Sequence, residues 1–311
     1  MDDKQPRPTP RFDTDALVRG VAMDGRVRVI AVRCDGVSRT LAENQDAGPT
    51  AAVALSRAAT AALLLGATIK DRQQIGVQLN GNGPLGEIYA VADAHGRVRA
   101  TVADPHADVP LRDGGVDLPA GIGAGRMTII KRLAEDEPAF QGVTALTASN
   151  VAEDLSEYLA QSEQIESAVA LGELIGPEGV TAAGGLLVQM LPGAGLPETL
   201  AMQVRLESLP PLSTFFGDGG TAADLARLLG DDVQIMDEGP VAFVCNCERE
   251  RYARILVAMG PDELTSLRDE QEITECVCHF CGTRYAFDQE QMGALIYGAK
   301  LHMARLESMS N

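Results

Sequence analysis

Tryptophan is absent from this 311-residue sequence, and Phe and Tyr bring the aromatic share to only 4%. Stacking platforms for bases or sugar rings need such faces, so recognition of that kind is disfavoured. Basic residues are also few: 26 Lys and Arg face 44 Asp and Glu, a net charge of -18. Phosphate backbones and anionic membrane surfaces both call for a basic patch, so neither nucleic acid nor membrane is an expected partner. The longest apolar stretch, residues 58–67, is too short and interrupted to span a bilayer. The opening MDDKQPRPTPRFD lacks the apolar centre of a signal peptide and reads as a loose arm over the first dozen residues. Histidine is scarce as well. His95, His106, His279 and His302 fall in turns, beside thiols or in the tail, and no Ser-His-Asp set assembles. The expectation is a protein that is not an enzyme.

What is present is a 45% apolar composition in a chain long enough for two domains. Its most specific feature is a pair of thiol motifs, Cys245-Asn246-Cys247 and Cys278-His279-Phe280-Cys281. Five of the six cysteines lie between Cys245 and Cys281, with only Cys34 elsewhere. A secreted protein of this size would spread its disulfides. A terminal cluster reads instead as metal or redox chemistry in a reducing compartment, which places the chain in the cytoplasm. Four soft sulfur ligands suit tetrahedral Zn2+, and a closed four-Cys set leaves no position for a substrate water. The expected ligands are Cys245, Cys247, Cys278 and Cys281, in a structural clip or one that oxidant opens. Cys276 adds a second C-x-C beside the C-x-x-C. It reads as a bystander, because the C-x-x-C turn presents both its sulfurs to one side. His279 adjoins a ligand and points elsewhere, and Cys34 reads as a core thiol. Arg249, Arg251 and Arg284 are close enough in sequence to offset the negative charge of four thiolates, or are simply solvated.

The rest of the chain reads as α+β. A hairpin is expected over 17–34 about Asp24-Gly25, a buried helix over 50–68, and strands over 74–79, 87–92, 98–102 and 127–131. A helix over 150–161, capped by Ser149 or Asn150, precedes strands at 166–174 and 185–190. The Gly-rich stretches at 81–86 and 121–125 lack a phosphate-loop ending and a dinucleotide fingerprint, and read as tight turns. The expected organisation is an N-terminal α/β core with mixed or antiparallel sheets (1–191), a metastable helical linker of short segments (192–244), and a small C-terminal four-Cys zinc-binding redox-switch domain (245–311). Helices are expected in that last part over 249–259, 261–268 and 288–297.

With the thiol spacing in place, the chain from about 15 to 297 resembles the 33 kDa chaperonin family, the redox-regulated heat-shock holdases. Besides C-N-C and C-H-F-C, the resemblance rests on Gly83-Pro84-Leu85-Gly86, GIGAGRMTIIK (121–131), Tyr158 with Gln161-Ser162-Glu163-Gln164, and GGLLVQMLPG (184–193). Cys276 is a departure from the family pattern. The resemblance implies an ATP-independent chaperone that is inactive when its four cysteines hold zinc. Oxidation would then join Cys245 to Cys247 and Cys278 to Cys281 in disulfides. Zinc would leave, the linker would unfold, and the protein would dimerise and bind unfolding client proteins. Two other readings remain open from the residues alone: a static zinc-ribbon interaction module, or a thiol-disulfide oxidoreductase working through Cys278 and Cys281.

Overall fold

The computed structural model describes residues 14–70, 72–112, 115–133, 138–177 and 179–310; the expected N-terminal arm lies outside them. The described residues form two compact units, 14–244 and 245–310. About 37% of the chain is helical and 33% strand, the expected α+β class.

The first unit opens with the expected hairpin of β1 (Ala16–Ala22) and β2 (Val27–Arg33). Met23, Asp24 and Gly25 all take positive φ between these strands, the conformation that Asp-Gly tolerates. Then come α1 (Asp35–Gln45), α2 (Pro49–Gly66), β3 (Gln74–Gly81), β4 (Glu87–Asp93) and β5 (Arg97–Val102). A minimal ladder of β6 (Leu111–Arg112) and β7 (Gly115–Val116) leads to α3 (Leu118–Ile122), β8 (Gly125–Arg132), β9 (Phe140–Ala145) and α4 (Ala152–Ser162). The long hairpin β10 (Ser167–Gly176) and β11 (Gly179–Met190) precedes α5 (Leu196–Glu207), α6 (Leu212–Gly217) and α7 (Ala222–Arg227). Strands β12 (Gln234–Pro240) and β13 (Ala242–Phe243) close the unit.

These strands make two sheets, ordered β10-β11-β2-β1-β12 and β13-β5-β4-β3-β8-β9. Every pairing is antiparallel except β13 with β5. Helix α2 lies between them and touches β3, β4 and β5 of one sheet and β2, β10 and β11 of the other. By length and composition α2 is long enough to cross a membrane, although the shorter run read from sequence is not; here 89% of it is buried inside the protein. Ala and Leu on every side suit a helix enclosed by two sheets.

The five-stranded sheet buries its other face as well. Val27, Val29 and Ala31 of β2 and Leu186 and Val188 of β11 pack with Met202, Leu212, Phe216, Leu225 and Leu229 from the α5–α7 region. Close approach requires glycine here: a Cβ on Gly184 would sit 2.6 Å from the Phe216 ring. Residues 192–244 thus supply short helices, as expected, and two strands that were not. In β12, the acidic and Pro-containing QIMDEGP has poor strand propensity. Pairing with β1 supplies what propensity does not, and its charges suit an edge strand.

Two helix starts also depart from their local sequence signals. Helix α1 starts weakly in Asp-Gly, but the distant Asp15 carboxylate accepts the N–H groups of Gly36 (3.0 Å) and Val37 (2.8 Å) at its N-terminus. The helix expected from residue 150 begins at Ala152 instead, since Ser149 and Val151 take positive φ. Asn150 Oδ1 does accept the Glu153 N–H at 3.0 Å.

The two Gly-rich stretches lie against each other as turns. The Gly83 N–H donates to the Ile122 carbonyl (2.8 Å) and the Leu85 N–H to that of Gly121 (3.1 Å). Cys34 is fully buried, with Sγ 3.2 Å from Thr60 Oγ1. Burial, and then the charge of Asp15, push its thiol up to about 12. Only the thiolate is nucleophilic, so Cys34 should stay unalkylated when folded protein meets iodoacetamide near pH ~8. Peptide mass mapping checks this, and labelling of Cys34 at the rate of a free cysteine contradicts it.

Candidate metal centre

The second unit is built around a hairpin and three helices. Strands β14 (Ile273–Val277) and β15 (Arg284–Asp288) pair antiparallel, and the turn between them carries Cys278 and Cys281. The Gly282 N–H donates to the Cys278 carbonyl (2.8 Å) and the Cys278 N–H to that of Thr283 (2.9 Å), which fixes the turn. Cys245 and Cys247 lie just before α8 (Arg249–Met259), which is followed by α9 (Pro261–Glu270) and, after the hairpin, α10 (Gln289–Ser310). The buried core of this unit is small: Leu256, Leu264, Phe287, Met292, Ile296 and Ala299. Helix α10 runs well past the expected end at 297.

The four expected ligands converge. The sulfurs of Cys245, Cys247, Cys278 and Cys281 all lie within 4.8 Å of one another. Cys245 Sγ is 3.7 Å from Cys278 Sγ, and Cys247 Sγ is 3.3 Å from Cys281 Sγ. A zinc–sulfur bond of about 2.3 Å sets a tetrahedral sulfur–sulfur edge of about 3.8 Å, so spacing and donor chemistry both fit one soft metal ion. Cys247 and Cys278 are buried while Cys245 and Cys281 are partly open.

Hydroxyl groups surround the sulfurs. Tyr285 Oη lies 3.2 Å from Cys247 Sγ and 2.9 Å from its carbonyl oxygen. Tyr252 neighbours Cys278, and Thr283 Oγ1 is 3.2 Å from Cys281 Sγ. The two tyrosine rings stack with centroids 4.9 Å apart. Burial raises both phenols above their ordinary range, and their sulfur partners raise them further, so both keep their protons. Hydrogen bonds from Cys245 and Cys281, and then from Tyr252, hold the Cys278 thiol well below its usual range against the cost of burial. Cys245 is pushed up, first by its bond to Cys278. Burial pushes Cys247 up to about 11, opposed by Tyr285. A cation that binds here must displace protons from these sulfurs.

The arginines have other partners. Arg249 Nη2 bonds the Ala286 carbonyl (2.6 Å) and Gln291 Oε1 (2.7 Å), with its guanidinium 4.3 Å from the Phe287 ring centroid. Arg284 pairs with Glu275 at 2.6 Å, and Arg251 is exposed. Cys276 stays outside the sulfur group, half-buried on β14 opposite Tyr285 and packed on the small core. His279 is exposed and also outside it.

Residues 15–288 match the family model described as Hsp33 protein. The chain belongs to the Hsp33 family. Among Hsp33 relatives, the 33 kDa chaperonin of Citrifermentans bemidjiense is 39% identical over 91% of this chain and 97% of its own. The 33 kDa chaperonin of Bacillus licheniformis is 35% identical over 90% and 98%. The crystal structure of the 33 kDa chaperonin (HSP33) from Thermotoga maritima superposes with a TM-score of 0.86 at 29% identity, covering 91% of this chain and 98% of that one. These names support a chaperone role and describe no catalyst. The Hsp33 assignment agrees with the resemblance read from the motifs. The sequence did not reveal Tyr252, Tyr285 and Thr283 beside the sulfurs. The available signal was weak: tyrosine is rare in this chain, with five in all, and two of them flank the thiol motifs.

Proposed function

We propose that this Hsp33 family member is a cytoplasmic, redox-regulated and ATP-independent holdase that binds unfolding proteins after oxidation. The observation that carries the reading is a group of four convergent sulfurs beside a small core, six buried apolar side chains among the described residues. Zinc, when bound by Cys245, Cys247, Cys278 and Cys281, supplies the charge that keeps four thiolates together, and with it much of the unit's folding energy. Everything else falls to the chain. Hydrogen peroxide takes two electrons from each cysteine pair. One thiolate attacks the O–O bond, leaving a sulfenic acid and hydroxide; the second thiolate then displaces hydroxide to close the S–S bond.

By the family resemblance the bridges are Cys245–Cys247 and Cys278–Cys281. Close sulfur contacts of 3.7 and 3.3 Å run between the pairs in the folded unit, so bridging within each pair removes a reason for the pairs to stay together. Loss of this fold would in turn destabilise residues 192–244. Helix α5 there already shows an exposed apolar stripe, Leu196, Leu200 and Val204, at helical spacing, with only Met202 buried. Further apolar surface released from α5–α7 and the sheet beneath would bind clients and a second oxidised copy. The net charge of -18 would keep that state soluble. An oxidoreductase role is disfavoured, because Cys278 and Cys281 sit in a β-hairpin turn and not at the start of a helix.

The test compares reduced, zinc-loaded protein with peroxide-treated protein in suppressing light scattering by a heat-denatured client. Suppression by the oxidised form alone is expected. Equal suppression by both forms contradicts the switch and favours a static zinc module.

A further inference from the structure

We propose that Tyr252 and Tyr285 are positioning residues that strap the two cysteine pairs together crosswise and shield two of the sulfurs from oxidant. The inference rests on the zinc–thiolate reading above and deepens it. Tyr252 follows the first pair by five residues, yet it neighbours Cys278 of the second and stacks on Tyr285. Tyr285 follows the second pair by four residues, yet its hydroxyl lies 3.2 Å from Cys247 Sγ of the first. Each element that carries one pair therefore reaches the other through a phenol.

The rings, stacked with centroids 4.9 Å apart and an interplanar angle of 29°, brace the two hydroxyls against each other. The single proton of Tyr285 also serves the Cys247 carbonyl at 2.9 Å, so this phenol fixes the backbone as well as the sulfur. The Arg249 and Arg284 side chains are committed elsewhere, which leaves neutral O–H donors to spread the charge on these sulfurs. A sulfur lone pair held in an O–H···S bond is less available to attack the O–O bond of peroxide. The cation and the hydroxyls together then set how much oxidant the unit withstands.

The experiment uses full-length protein with Tyr285→Phe and Tyr252→Phe, which keep the rings and remove the hydroxyls. Tyr297→Phe, at an exposed position in α10, is the control. Zinc content is measured first, then the rate of peroxide-driven zinc release with a zinc-sensitive dye, then the thiolate-to-metal charge-transfer band of the cobalt-substituted protein. Hydrogen bonds to charged groups are strong enough that each Phe variant should release zinc about 10-fold faster. The cobalt band should shift as charge returns to sulfur, while Tyr297→Phe behaves as wild type. Release rates within about twofold of wild type, well below the worth of such a bond, overturn the proposal. Faster release with an unshifted cobalt band also overturns it, because the hydroxyls would then act through stability alone. Wild-type protein without zinc removes this proposal and the proposed function together. Zinc-loaded wild type with indifferent Phe variants removes this proposal only.

Discussion

Replacing Cys247 by serine is expected to unfold residues 245–310 and to loosen 192–244, while the fold of 14–191 is kept. Cys247 is 7% exposed, and its sulfur lies 3.3 Å from Cys281 Sγ and 3.2 Å from Tyr285 Oη. A serine oxygen is a poor partner for a soft metal site, and the remaining three thiolates would repel one another without a cation. The unit has little else to hold it. Its core contains six buried apolar side chains, and single-core domains below about 70–80 residues generally need a staple. Metal binding in comparable small modules is worth about 10–16 kcal/mol, more than the entire stability of many domains. Zinc stoichiometry, far-UV circular dichroism and limited proteolysis would show one zinc lost, a loss of helix from α8–α10, and cleavage in 245–310 and then in 192–244. Because the Cys247→Ser chain would resemble the oxidised state in this respect, it should also suppress client aggregation without oxidant. A Cys247→Ser protein with a protease-resistant tail contradicts the account.

The second large effect is expected at Asp154, far from any sulfur. This carboxylate is fully buried and accepts five backbone N–H groups. Oδ1 takes those of Thr147 (2.9 Å), Ala148 (3.0 Å) and Ser149 (3.2 Å). Oδ2 takes those of Asn150 (2.9 Å) and Val151 (3.1 Å). The loop it organises holds Ser149 and Val151 at φ of 54° and 72°, conformations that a β-branched residue adopts only under constraint. In Asp154→Asn one carboxylate oxygen becomes an NH2 group facing N–H donors, which leaves at least two buried donors unmet. At about 1–3 kcal/mol for each, the loss should be about 3–5 kcal/mol, read as a lower denaturant midpoint at unchanged slope. A change below about 1 kcal/mol, the scale of one ordinary hydrogen bond, contradicts this role for the carboxylate.

Residues whose signals are local were readable from the sequence. The Asp24-Gly25 turn, the apolar α2, the alternating strands and the four converging cysteines each declare themselves within a few positions. Tertiary determinants were not readable. Strand β12 exists because β1 offers it a partner, and α1 is capped by Asp15 from 21 residues away. The start of α4 is set by a loop gathered around Asp154, not by Ser149 or Asn150 alone. At the sulfur site, spacing picked out the four cysteines that converge and left two readings of the nearby arginines open. Arg249 is held by Gln291 and the Ala286 carbonyl, Arg284 pairs with Glu275, and Arg251 is exposed. Phenols that reach across between the pairs stand beside the sulfurs instead, and no spacing rule announces a contact between Tyr285 and Cys247. The thiols behave likewise. Cys276, read as a bystander, does stay outside the sulfur group, and its strand position, which no spacing rule gives, turns it toward the small core.

The most direct measurement is amide hydrogen exchange on full-length protein across a peroxide titration, with zinc and free thiols counted in the same samples. The account predicts that loss of four thiols coincides with loss of one zinc. Protection should then collapse in α8–α10 and next in α5–α7, while α2 and the central strands β2, β3 and β4 stay protected. Complete oxidation of Cys245, Cys247, Cys278 and Cys281 with protection intact in α8–α10 would contradict it.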